Sequence, residues 1–301
     1  MKRVLFIILS ALLITRENKL KTSSRLTGLN LKGTSIMISP IASMAGAFDV
    51  KGLNVVVTGG NRGIGLGITT AFIQSGANVA ILCRNKEGGE AAAANLKGAG
   101  GDCFCVQCDT GDFASVKNAA ADVYKRFDYV DVLVNNAGVS TVCKFLDDKE
   151  LSEWRRVMNT NINGPAYVIY EFAPKMVSRG KGGSIINISS IGGTSLGGTK
   201  HHPKMPYHVA KAGLNMLTQG LAIELGDYGI RVNAIAPGPT HSDLDKDLPP
   251  EAHESIKSNM PMHRFGEPIE IGALCVFLSS PAGCQITGTV TNHDGGIILG
   301  G

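Results

Sequence analysis

From Lys51 onward, short runs of apolar and β-branched residues alternate with stretches whose apolar positions recur at helical spacing. The runs at 55–60 (VVVTGG), 78–84 (NVAILCR), 102–109 (DCFCVQCD), 130–138 (VDVLVNNAG), 184–190 (SIINISS) and 230–238 (IRVNAIAPG) read as strands. Between them, 64–75, 87–98 and 113–127 read as helices, the second rich in alanine. Strands that are apolar on both faces and separated by helices pack as a parallel sheet covered on each side. No linker or repeat interrupts residues 51–301, so the pattern predicts one α/β domain there, built on a doubly wound parallel sheet.

Residues 1–50 follow a different pattern. Lys2 and Arg3 precede an apolar run at 4–14 that only Ser10 breaks. A helix needs about 20 apolar residues to cross a bilayer, so this run is too short. The following stretch 15–25 (TRENKLKTSSR) offers no small-residue cleavage site, while 15–35 is basic and rich in Ser and Thr, as organelle transit segments are. A targeting segment, a membrane anchor and a start upstream of the true one at Met44 all remain open readings of this leader.

Charge sharpens that division. Residues 1–50 hold seven Lys/Arg against two Asp/Glu, whereas 51–301 hold 22 against 23, for a formal net charge of +4 overall. The near-neutral body gives no sign of a nucleic-acid surface, and membrane contact is expected only through the leader. Seven cysteines, an odd number in a chain long enough to need no disulfide staples, favour a reducing compartment. The expected location is therefore cytoplasmic, or organellar or membrane-attached if the leader is a true one. Cys103, Cys105 and Cys108 sit in a strand pattern, whose alternate residues point to opposite faces, so no metal site is expected there.

The chemistry resides in two motifs. Thr58 opens a TGGNRGIG turn in which Gly59, Gly63 and Gly65 enclose Asn61, Arg62 and Ile64. The turn leaves a strand and opens a helix, the context in which backbone N–H groups cradle a dinucleotide phosphate. Far downstream, Tyr207 and Lys211 lie four residues apart and so share a helix face, where the ammonium can lower the phenol's pKa. A cofactor cradle with an activated phenol suggests hydride transfer at a carbonyl.

With these motifs the chain resembles the short-chain dehydrogenase/reductase family over residues 51–294. Asn135-Asn136-Ala137-Gly138 matches the family's segment after the fourth strand, and Pro237-Gly238 the segment beside the nicotinamide. The resemblance implies a Rossmann-type domain in which Asp109 lies near the adenine and Ser242, where the family usually has Thr, faces the carboxamide. It also implies roles for Ser190 (with Ser189 as fallback) in hydrogen-bonding the substrate oxygen, and for Asn161, flanked by Asn159 and Asn163, in a water-linked proton path. Tyr207 would be the acid/base, and Lys211 would hold the cofactor ribose and relay protons.

Cofactor choice turns on the end of the second strand. Leu82-Cys83-Arg84-Asn85 carries no carboxylate for a ribose 2′-hydroxyl, and Arg84 with Arg62 supplies two guanidinium groups for a 2′-phosphate. NADP(H) is thus expected over NAD(H). Sixteen residues separate Ser190 from Tyr207, a longer stretch than in many members of the family. This loop, polar and glycine-rich, points to a small polyol, keto-sugar or keto-acid. A 3-oxoacyl thioester reductase and a non-catalytic NADP(H)-binding sensor or scaffold are the alternatives. His201 and His202 within the loop read as solvated, Trp154 and Met158 as core residues, and 241–262 as a mobile substrate lid. The family implies a homo-oligomer, dimer or tetramer, through the long helices before Asp128 and after Tyr207.

Overall fold

The computed structural model describes residues 44–196, 203–242 and 249–299. The expectations for residues 1–43, for His201 and His202 and for part of the lid fall outside these. Seven strands form one sheet: β1 (Asn54–Thr58), β2 (Asn78–Cys83), β3 (Cys103–Gln107), β4 (Val132–Asn135), β5 (Gly183–Ile188), β6 (Ile230–Pro237) and β7 (Val290–His293). Their order is β3-β2-β1-β4-β5-β6-β7, and every pairing is parallel. The doubly wound architecture read from the sequence is therefore the architecture of the protein. The edge strand β7 was not foreseen, because none of its four residues is buried and they form no apolar run.

Strand alternation divides the core into two layers. Val56, Ala80 and Leu82 face one side, under α3 (Phe113–Val123), α5 (Gly164–Arg179) and α6 (Met205–Leu225), with Phe172 wholly buried among them. Val55, Val57, Val79 and Ile81 face the other, under α1 (Gly63–Gln74), α2 (Lys86–Asn95) and α8 (Pro268–Ser279), around Phe72. Complete burial of such a side chain contributes about 1.5–3 kcal/mol. Cys103 and Cys105 join the second layer and Cys108 the first, so these cysteines do not converge. Among the described residues no cluster could hold a metal ion, and no helix is long and apolar enough to cross a membrane.

Residues 44–50 pack onto this body: Ala47 and Val50 are buried, and Ala47 O accepts from Ala282 N at 2.7 Å. The short helix α4 (Ser152–Met158) differs from expectation. Val157 is its core residue, whereas Trp154 is only half-buried, set edge-on against the exposed Phe145. Met158 is likewise half-buried. The remaining helix, α7 (Pro250–Ser258), has no buried residue and lies in the stretch expected to form the lid.

The strand order reverses at β1, which has β2 on one side and β4 on the other. Such a switch point opens a crevice at the carboxyl ends of the strands, where ligands of α/β sheets bind. The loops after β1, β4, β5 and β6 all emerge at that edge.

Candidate active site

The turn after β1 is tight because its glycines permit it. Gly59 has φ +64° and Gly63 φ +50°, the left-handed region open to glycine. A β-carbon on Gly65 would collide with the carbonyl oxygen of Gly59 and lie 2.5 Å from Asn136 Nδ2. One on Gly59 would lie 3.2 Å from Ala137 Cα. The loops after β1 and β4 therefore touch through the space that side chains would fill.

Polar bonds lock this approach. Thr58 Oγ1 accepts from Asn136 N at 3.0 Å and from Ala137 N at 2.9 Å, and Asn136 Nδ2 donates to Thr58 O at 2.9 Å. Thr58 was not singled out in the sequence. Its place at the head of the glycine turn is the signal that could have found it. Arg62 occupies the N-cap of α1 and makes no side-chain cap bond to the first turn. A glycine cradle below an uncapped helix start suits a phosphate group, so these residues fit a dinucleotide.

Arg84 follows β2, next to the turn: Gly59 N donates to Leu82 O at 2.7 Å. Both Arg62 and Arg84 are exposed. Gln107 Nε2 donates to Arg84 O at 3.1 Å, and Asn85 caps α2 through Gly88 N, so the backbone beneath the guanidinium is fixed at two points. Asp109, beyond β3, is exposed and accepts from Gly111 N at 3.0 Å.

Ser190, Tyr207, Lys211 and Asn161 are brought together from three segments. Ser190 follows β5 and accepts from Gly192 N through Oγ at 3.0 Å, which leaves its own proton to donate. The same hydroxyl lies beside the Tyr207 phenol. Lys211 is 4% exposed, and its Nζ donates to Ile188 O at 2.7 Å and lies 5.6 Å from the centre of the Tyr207 ring. Asn161 lies fully buried in a π-helical turn, Asn159–Asn163, where the regular ladder is interrupted. Its side chain is occupied by Val139, accepting from N and donating to O, each at 2.8 Å. Asn163 and Asn159, by contrast, bond each other. A β-carbon on Gly138 would stand 3.6 Å from Asn161 Oδ1 and 3.7 Å from Lys211 Nζ, so this glycine leaves the space between them open.

The electrostatics differ from expectation in one respect. Burial pushes the Tyr207 phenol above its usual value, with the neighbouring Ser190 hydroxyl as the opposing influence. Lys211 is itself pulled down to about 8 by burial. The spacing of the pair is as expected, but desolvation outweighs any lowering of the phenol by the ammonium.

At the far side, Pro237 ends β6 and Gly238 N donates to His293 O at 3.0 Å. A β-carbon on Gly238 would lie 2.7 Å from Asp294 Cβ, so the chain passes closely here too. Ser242 Cβ would be 3.7 Å from a β-carbon on Gly63, which brings the loop after β6 over the start of α1. Residues 243–248 of the expected lid are outside the described residues. A cavity of about 260 Å³ between Pro239, Arg264, Glu270 and His293 includes none of the four central residues in its lining.

Comparison with known proteins identifies relatives of this chain. Residues 59–298 match the model of a family described as enoyl-(acyl carrier protein) reductase. An L-rhamnose 1-dehydrogenase (NAD(P)(+)) of Azotobacter vinelandii is 37% identical over 254 residues, covering 81% of this chain and 96% of that protein. The 3-oxoacyl-[acyl-carrier-protein] reductase FabG of Staphylococcus aureus is 36% identical over 247 residues, covering 82% and 98%. Among solved structures, the Pseudomonas aeruginosa RhlG/NADP active-site complex superposes with a TM-score of 0.76 at 33% identity, over 84% of this chain and 99% of that one.

Proposed function

The chain belongs to the short-chain dehydrogenase/reductase family of oxidoreductases, and on that premise we propose that it interconverts a ketone and a secondary alcohol with NADP(H). The observation that carries this reading is the convergence of the Ser190 hydroxyl, the Tyr207 phenol and the buried ammonium of Lys211. Gly59, Asn61, Gly63, Ile64 and Gly65 would hold the pyrophosphate, and Arg62 and Arg84 the 2′-phosphate. Asp109 would meet the adenine, and Asn136, Ala137 and Gly138 would form the floor of the crevice. Pro237, Gly238 and Ser242 would flank the nicotinamide, with Tyr207 and Lys211 at its ribose. A cofactor held by these residues would supply or accept the hydride at the substrate carbon.

The residues of the chain manage the oxygen and its proton. Tyr207 donates the proton in reduction and removes it in oxidation. Ser190 holds the substrate oxygen next to the phenol. Lys211 retains most of its charge at neutral pH, and a cation near the ribose favours the phenolate needed for oxidation. Asn161, its side chain committed to Val139, serves the proton path through the interrupted turn that contains it.

The substrate proposed is a small polyol, keto-sugar or keto-acid, supported by the likeness to an L-rhamnose dehydrogenase. The second reading, a 3-oxoacyl thioester, draws on the Staphylococcus aureus reductase. Homo-oligomerisation through α3 and α6 accords with the exposed apolar Phe113, Met216 and Ile223. L-rhamnose with NADP⁺ or NAD⁺, and acetoacetyl-coenzyme A with NADPH or NADH, test both cofactor and substrate. The reading expects faster turnover with the phosphorylated cofactor and with the sugar. Faster turnover of acetoacetyl-coenzyme A would select the second reading, and a preference for NADH would remove the role given to the two arginines.

A further inference from the structure

Sixteen residues lie between Ser190 and Tyr207 in sequence, so chain connectivity alone fixes their separation poorly. Two side chains of α6 do what the connection cannot. His208 is buried, and its Nδ1 lies 2.7 Å from the carbonyl oxygen of Gly192. A carbonyl only accepts, so Nδ1 must carry the proton and donate it. Seven residues on, Asn215 Nδ2 donates to the next carbonyl, that of Gly193, at 3.3 Å. The Asn215 Oδ1 accepts from Ser189 Oγ at 2.6 Å. Positions 208, 211 and 215 fall on one helical stripe, so the stripe that carries Lys211 also carries a donor on either side of it.

The glycines complete the fit. A β-carbon at Gly192 would stand 2.8 Å from His208 Nδ1, and one at Gly193 would stand 2.9 Å from both Asn215 Nδ2 and the Lys211 carbonyl oxygen. Gly192 N is the group that donates to Ser190 Oγ. Holding Gly192 in place therefore holds the serine hydroxyl in place.

We propose that His208 and Asn215 are positioning residues that clamp the turn after Ser190 onto α6, fixing the serine hydroxyl against Tyr207 independently of the long loop between them. The proposal rests on the reading of Ser190 and Tyr207 given above. Neither residue touches the reacting atoms; both act through the backbone of Gly192 and Gly193.

The test compares His208→Leu, His208→Asn, Asn215→Leu and Tyr207→Phe in the full chain. Acetoacetyl-coenzyme A with NADPH and L-rhamnose with NADP⁺ serve as turnover probes. His208→Leu and Asn215→Leu should each lower kcat about tenfold, the effect of one hydrogen bond, with KM for the cofactor unchanged. His208→Asn keeps a donor at the δ position and should restore most of the loss. Tyrosinate absorbance, taken as the difference from the same variant carrying Tyr207→Phe, should show the Tyr207 midpoint moving up in His208→Leu and staying in place in His208→Asn. Parental kcat and midpoint in His208→Leu would overturn the clamp, as would a loss in His208→Asn equal to that in His208→Leu. Undiminished turnover in Tyr207→Phe would instead overturn the reading of the reaction, while the tyrosinate midpoint, read without substrate, still decides on the clamp.

Discussion

The turn after β1 and the turn after β5 lie at the same edge of one sheet, yet they are built by opposite means. The first is shaped by absent side chains: Gly59 and Gly65 let the loops after β1 and β4 meet, and Thr58 and Asn136 fasten them through the backbone. The second is held by side chains that reach in from a helix to backbone carbonyls: Lys211 donates to Ile188, His208 to Gly192 and Asn215 to Gly193, with Ser190 and Tyr207 set beside them. A surface made of backbone presents N–H groups to an anion and needs no titrating group. A surface made of side chains can hold and move a proton, at the cost of desolvating a phenol and an ammonium.

Substitutions that act on one region alone sharpen this contrast. The largest effect on cofactor binding is expected from Gly65→Ala. Its β-carbon would drive into Gly59, a strain of about 3 kcal/mol or more, so NADPH affinity measured by fluorescence titration should fall beyond about a hundredfold. Lys211→Met addresses the other region through stability. In the folded chain Lys211 titrates at about 8 rather than 10.5, so between these values the unfolded chain keeps a proton that the folded chain has lost. Stability from this group thus rises with pH across that window, and its protonated form below pH 8 costs roughly 3 kcal/mol. Thermal unfolding of the protein alone, followed from pH 7 to 10, should lose that rise in Lys211→Met.

Ser190→Ala should lower kcat about a hundredfold, as removal of one donor at a reacting oxygen does, with NADPH affinity unchanged in the same fluorescence titration. The smallest change is expected of Arg84→Ala: about tenfold weaker NADPH binding and unchanged NADH binding, measured by calorimetry. Equal weakening of both cofactors would place Arg84 away from the 2′-phosphate.

The same contrast governs what could be read from the sequence. The first six strands and the glycine turn were legible because periodicity and left-handed glycines leave local marks. Strand β7 left none, since it has no buried residue at the sheet edge and so no apolar run, unlike the equally short but fully buried β4. Tyr207 and Lys211 were legible as a spaced pair, but the upward push on the phenol was not, because it comes from the burial that tertiary packing imposes. His208 and Asn215 look like ordinary helix residues in sequence. Their role depends on carbonyls sixteen and twenty-two positions upstream. Trp154 shows the converse: helical spacing suggested the core, yet its partner Phe145 lies at the surface.

Tyr207→Phe tests the central claim most directly, because it removes one oxygen and leaves the cofactor turn untouched. Measured side by side, the variant should bind NADPH with unchanged affinity and lose turnover by about a thousandfold, the scale of general acid catalysis. Turnover at the parental rate would contradict the assignment of Tyr207 as the proton donor and, with it, the account of how this chain acts on a carbonyl.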